Sequence, residues 1–102
     1  AIECDLGRSG YASSKAALIA FTKGLSKELG SFNIRVNAVA PGITKTKMMN
    51  QDISKKIMDE AIKRVPLKRA AEPEEISDVI MFLASDMSRY VNGEVIFVTG
   101  GY

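Results

Sequence analysis

Tyr11 and Lys15 stand four residues apart in the run Ser9-Gly10-Tyr11-Ala12-Ser13-Ser14-Lys15-Ala16-Ala17. In a helix this spacing puts a phenol and an ammonium on one face, one turn apart. An ammonium held beside a phenol stabilises the phenolate, so such a pair can work as a general acid or base. Many helices carry Tyr and Lys at this spacing with no chemistry attached, the ring half packed and the lysine solvated. The pair takes its weight from the residues around and after it.

Other chemistries are excluded by composition. The chain has no histidine, which removes Ser-His and Cys-His catalysis and every His-ligated metal site. Its one cysteine, Cys4, excludes an internal disulfide and a multi-cysteine metal site, and fits a reducing, cytoplasmic compartment. The 14 basic and 12 acidic side chains form no basic block, so neither a nucleic-acid nor a membrane partner is expected. No apolar run approaches the roughly 20 residues that span a bilayer. The start, Ala-Ile-Glu-Cys-Asp-Leu, has neither the charge nor the apolar stretch of a secretory signal, and its missing methionine suggests a processed or truncated product. With 102 residues the chain can close one small core.

The elements that must position the pair can be read in order. Residues 1–8 carry no period and read as loop. A helix is predicted over 9–30, capped by Ser9, with Lys27 in its last turn and Gly30 as a left-handed stop. Its expected core face holds Tyr11, Lys15, Leu18, Leu25 and Leu29, and Ala16, Ala20 and Gly24 form a small-residue stripe on another side. That makes the helix apolar on two faces, through internal packing or a subunit interface. Alternation from Asn33 to Ala40 predicts a strand ending at the Pro41-Gly42 turn, the whole covering 33–42. A region at 43–66 contains a helix from Asp52 to Arg64, stopped by Pro66. A third helix, 72–86, opens on Pro73 with Glu74 and Glu75 at the positive end of its dipole. A last strand lies within 94–101, at Val95 to Val98. Two apolar strands joined by a long helical crossover predict parallel neighbours in an α/β sheet. Two strands alone make a poor sheet, so one edge is expected to await a partner, in a larger domain or in a second copy.

At this point the sequence resembles the C-terminal half of the short-chain dehydrogenases/reductases, most of all the 3-oxoacyl-[acyl-carrier-protein] reductase type. The resemblance runs from Gly10 to Gly101. Tyr11 to Ala17 is similar to the family's Tyr-x-x-x-Lys segment, and Ile34-Arg35-Val36-Asn37-Ala38-Val39-Ala40-Pro41-Gly42 to the strand and turn that follow it. Thr46 matches a threonine shortly after the turn, Pro73-Glu74-Glu75-Ile76 the start of a helix, and Tyr90-Val91-Asn92-Gly93-Glu94 with Val98-Thr99-Gly100-Gly101 the C-terminal strand signature.

The resemblance implies one partial domain, residues 1–102, forming the C-terminal portion of a Rossmann-like doubly wound parallel sheet that is incomplete by itself. It implies that 43–66 is the substrate-lid region, with Met48 and Met49 in it. It also implies an NADP- or NAD-dependent reduction of a ketone to a secondary alcohol, with a 3-oxoacyl thioester on a carrier protein, or another small carbonyl, as substrate. Tyr11 would move the proton. Lys15 would bond the nicotinamide ribose. Pro41, Gly42 and the backbone of Thr44 would lie along the nicotinamide, and Thr46 would help hold its carboxamide or the phosphates. No metal is implied. Sugar, polyol or steroid alcohol oxidation is the alternative within the family.

The departures point elsewhere. The family's catalytic serine would fall before Ala1, and Ser9 is out of register for it. Neither G-x-x-x-G-x-G nor G-x-G-x-x-G occurs, so the pyrophosphate has no glycine turn to sit on in these residues. The second expectation is therefore that this chain alone is catalytically silent and self-associating, a homo-oligomer held by its open strand edge and the Ala16-Ala20-Gly24 stripe.

Overall fold

The computed structural model describes residues 9–46 and 52–102. In chain order these form α1 (Ser9–Leu29), β1 (Ala38–Pro41), α2 (Asp52–Ile62), α3 (Pro73–Ala84) and β2 (Val95–Val98), with 3-10 turns at Gly30–Phe32 and Asp86–Ser88. The expected loop over 1–8, together with Cys4, Met48 and Met49, lies outside the described residues. β1 and β2 are neighbours in a two-stranded sheet. They run parallel: the Ala38 N–H donates to the Glu94 carbonyl and the Gly42 N–H to the Val98 carbonyl, both at 2.9 Å, so the strands advance together. The chain is thus α/β, with a long helical connection between parallel strands. Its contacts divide into two compact units, Ala1–Ala38 with Met87–Ile96 and Val39–Asp86 with Phe97–Tyr102.

In the first unit α1 stops otherwise than expected. The backbone tightens through Gly30–Phe32, and Asn33, not Gly30, takes the left-handed conformation at φ 59°. Asparagine tolerates this region because its short amide can bond locally. The inward seam of α1 is also displaced from the predicted one. Its least exposed positions run Ala12, Lys15, Ile19, Thr22, Ser26 and Leu29, with Leu25 beside them, while Tyr11 and Leu18 are exposed. Thr22 and Ser26 can be buried because their hydroxyls donate back to the Leu18 and Lys23 carbonyls, each at 2.7 Å. What approaches Ser26 is backbone. Gly93 has φ 76°, and a Cβ there would lie 2.6 Å from Ser26 Oγ. Ala16, Ala20 and Gly24 are all exposed.

The strand expected from Asn33 begins only at Ala38 because side-chain amides take most of the ladder's place, beside one backbone bond from the Gly93 N–H to the Val36 carbonyl at 2.8 Å. Asn37 Nδ2 donates to the Val91 carbonyl and its Oδ1 accepts the Glu94 N–H, both at 3.0 Å. Asn92 Oδ1 accepts the Val36 N–H at 2.9 Å, and its Nδ2 donates to the Ser26 carbonyl at 3.3 Å.

The second unit holds the buried apolar side chains of the described residues: Ala40, Val65 and Ala70. α2 ends at Ile62, short of the predicted Arg64. The Arg64 and Val65 N–H groups turn back to the Ala61 and Ile62 carbonyls, which sends Val65 inward to 2% exposure. α3 starts on Pro73, whose missing N–H costs nothing in the first turn, and ends at Ala84.

Candidate functional site

Tyr11 and Lys15 lie in the first turns of α1, in the first unit. The helix sets them on adjacent turns, with Lys15 Nζ 5.4 Å from the centroid of the Tyr11 ring. A cation over a ring at an open site contributes about 0.5–1 kcal/mol, enough to favour one lysine rotamer. Tyr11 is 53% exposed, so its ring is not lost in apolar packing. Among the described residues, Lys15 Nζ has no hydrogen-bond or ion-pair partner, which leaves its three donors available to a ligand hydroxyl. The arrangement sets a phenol and an ammonium on adjacent turns of one helical face.

The other expected site residues belong to the second unit. Pro41 closes β1 and is exposed. Gly42 follows, and its missing side chain has a reason within the fold: a Cβ there would stand 2.9 Å from Thr99 Cα and 3.2 Å from Thr99 Cβ. Thr44 Oγ1 donates to the Gly42 carbonyl at 3.1 Å, which fixes the bend after the turn. Thr44 also forms a parallel bridge with Ala71, through Ala71 N–H to the Ile43 carbonyl and Lys45 N–H to the Ala71 carbonyl, both 2.9 Å. Alternation along an extended backbone then turns the N–H and C=O of Thr44 itself toward the opposite edge. Its N–H has no partner among the described residues. Thr46 is exposed. The structure therefore brings together Tyr11 with Lys15, and Gly42 with Thr44.

Arg69 was not singled out in the sequence, and Glu75 only as an acid in the first turn of α3. Arg69 Nη1 and Nη2 donate to the two Glu75 carboxylate oxygens at 2.5 and 2.8 Å. Glu75 Oε1 also accepts the Glu72 N–H at 2.9 Å, and Lys45 pairs with the Glu72 carboxylate. The Arg69 hydrogen bond first, then that from the Glu72 N–H, hold the Glu75 carboxyl down at about 2. The reciprocal effect of Glu75 raises Arg69. The only sequence signal was an acid at the third position of a helix opened by Pro73. Nothing periodic links it to Arg69, which precedes the helix. Both line a cavity of about 100 Å³ with Ile43, Ala71 and Thr99. Among the described residues no cluster of His, Cys, Asp or Glu could hold a metal ion, and no helix is long and apolar enough to cross a membrane.

A family model described as enoyl-(acyl carrier protein) reductase matches residues 6–102. The chain belongs to the short-chain dehydrogenase/reductase family, whose Rossmann fold it covers in part. It is 50% identical over 95 residues to 3-oxoacyl-[acyl-carrier-protein] reductase FabG of Thermotoga maritima, covering 93% of this chain and 38% of that protein. It is also 50% identical over 91 residues to the 3alpha-hydroxysteroid dehydrogenase of Mediterraneibacter gnavus, covering 89% and 36%. Among solved structures it superposes on a 3-oxoacyl-[acyl-carrier protein] reductase with bound NAD from Brucella melitensis at a TM-score of 0.80 and 40% identity, covering 91% of this chain and 33% of that one. The chain thus spans little more than a third of the relatives it matches.

Proposed function

We propose that this chain carries the proton-transfer pair of an NAD(P)-dependent oxidoreductase that reduces a ketone, a 3-oxoacyl thioester on a carrier protein, to a secondary alcohol. The observation that carries the reading is the Lys15 ammonium over the exposed Tyr11 ring on one face of α1. Each unit presents groups that fit a dinucleotide. Among the described residues, Lys15 offers unpartnered donors for ribose hydroxyls, and Thr44 an unpartnered backbone N–H that suits a carboxamide. The bound nicotinamide supplies the hydride. Tyr11 gives its hydroxyl proton to the substrate oxygen as the carbonyl carbon is reduced, and takes a proton from the alcohol in the reverse direction. Lys15 stabilises the phenolate left behind and orients the ribose. Pro41 and Gly42 would line the nicotinamide, and Thr46 would help hold its carboxamide or phosphates.

No glycine-rich dinucleotide turn occurs in these 102 residues, so the chain on its own is expected to be silent. The exposed Phe21 and the exposed Ala16, Ala20 and Gly24 support self-association, which light scattering would show as a dimer or larger. The Mediterraneibacter gnavus relative favours a second reading, oxidation of a steroid alcohol. Oxidation of NADPH and NADH with an acetoacetyl thioester, set beside a 3-ketosteroid, decides between the substrates. In active protein containing this chain, Tyr11→Phe should lower turnover on the order of 10²–10⁴-fold while cofactor binding persists. A Tyr11→Phe rate near wild type overturns the proposal, and turnover by the 102 residues alone overturns the silent reading.

A further inference from the structure

We infer that the Arg69–Glu75 pair is a positioning device that holds the backbone of Ile43–Lys45, and with it the outward-facing peptide groups of Thr44, in the orientation that receives the cofactor. The inference rests on the reading above, in which Thr44 lies along the nicotinamide. Its warrant is a continuous set of contacts inside the second unit. The Arg69 fork fixes both oxygens of Glu75, and a bidentate pair restrains orientation as well as distance. Glu75 Oε1 in turn fixes the Glu72 N–H at 2.9 Å. Glu72 is the neighbour of Ala71, whose N–H and C=O make both hydrogen bonds of the bridge to Ile43 and Lys45. Lys45 closes the circuit by pairing with the Glu72 carboxylate. The segment after the Pro41-Gly42 turn is thus tied at two successive residues, 71 and 72, to the start of α3. Since the bridge uses the Ile43 carbonyl and the Lys45 N–H, it leaves the Thr44 N–H and C=O facing away. A primary carboxamide needs one acceptor and one donor, and these are the groups presented. Without the clamp the same groups are still there, but their direction is no longer set before binding, and the cofactor must order them itself. Arg69 and Glu75 act through the bridge, so the effect belongs to cofactor affinity more than to the chemical step.

The test uses the active protein containing this chain, with NADH and NADPH as probes. Glu75→Ala should raise the cofactor KM and the fluorescence-measured Kd about tenfold, the size expected when a positioned contact loses its orientation, with a much smaller change in kcat. Glu75→Gln, which keeps one acceptor oxygen, should recover part of the loss and stands in if the alanine variant does not fold. Without cofactor, amide exchange at Lys45 and Ala71 should accelerate about tenfold in Glu75→Ala and by less in Glu75→Gln, while amides in the middle of α1 keep their wild-type rates. Unchanged exchange at Lys45 and Ala71 overturns the clamp. Faster exchange with unchanged cofactor affinity overturns the positioning role and leaves the Tyr11 assignment standing. Retained turnover in Tyr11→Phe strikes that assignment alone, because the exchange result does not depend on it.

Discussion

Replacing Gly93 by alanine should destabilise the protein through two costs that can be measured apart. The first is backbone strain: at φ 76° an L side chain sits in the left-handed region, at about 1–2 kcal/mol. The second is overpacking. The new Cβ would lie 2.6 Å from Ser26 Oγ, and Ser26 is buried in the seam of α1 with its hydroxyl committed to the Lys23 carbonyl. Forcing a buried neighbour aside costs about 1–3 kcal/mol, so the total is about 2–5 kcal/mol. Ser26→Ala separates the two, because it removes the offending oxygen and leaves Ser26 Cβ at 3.4 Å, an ordinary contact. In that background Gly93→Ala should cost only the strain, ~1–2 kcal/mol. Urea unfolding of wild type, both single variants and the double variant closes the cycle, and the loss of the Ser26 hydrogen bond cancels within it. Equal cost of Gly93→Ala in both backgrounds, or a cost below about 0.5 kcal/mol in either, refutes the steric account.

Acid should weaken the second unit through Glu75. Its carboxyl is held at about 2 in the folded protein against an ordinary 4.5, so the stabilisation is complete above 4.5 and is lost as pH falls from there through about 2. Glu75→Gln should flatten that limb of the unfolding-midpoint profile, and high salt should flatten it in wild type. A profile of equal steepness in the variant removes Glu75 as its source. Asn37→Ala removes the Glu94 N–H's side-chain partner and leaves the Val91 carbonyl with Arg35 Nη1 at 3.3 Å, at about 0.5–1.5 kcal/mol, read as a lower urea midpoint; an unmoved midpoint would show that water replaces the amide. Val65→Ala empties the most buried apolar position and should cost about 2 kcal/mol or more in the same assay, and near-neutral behaviour would mean the site collapses around it.

The Tyr11–Lys15 contact of the candidate site was legible because its signal is local. Four-residue spacing on a helix suffices to bring Lys15 Nζ over Tyr11, and Pro73 with its acidic first turn suffices to start α3. Less of the packing was legible. A hydrophobic pattern pointed to Leu18 and Tyr11 as the inward face of α1, yet Thr22 and Ser26 hold it, and at Ser26 the Gly93 backbone comes too close for anything larger. Alternation also extended β1 back to Asn33, where Asn37 and Asn92 replace most of the ladder with side-chain amides.

The sequence by itself determined the element types, the Tyr11–Lys15 pairing and the family, since each depends on neighbours within a few residues or on motifs kept in order. Tertiary structure alone decided that Gly42 must be glycine against Thr99, and that Ala71 bridges Thr44. It alone also showed that Arg69 reaches Glu75 and so bears on the bridge. These contacts join backbones and side chains whose proximity comes from the path of the chain, and no periodicity in the residue order encodes that path.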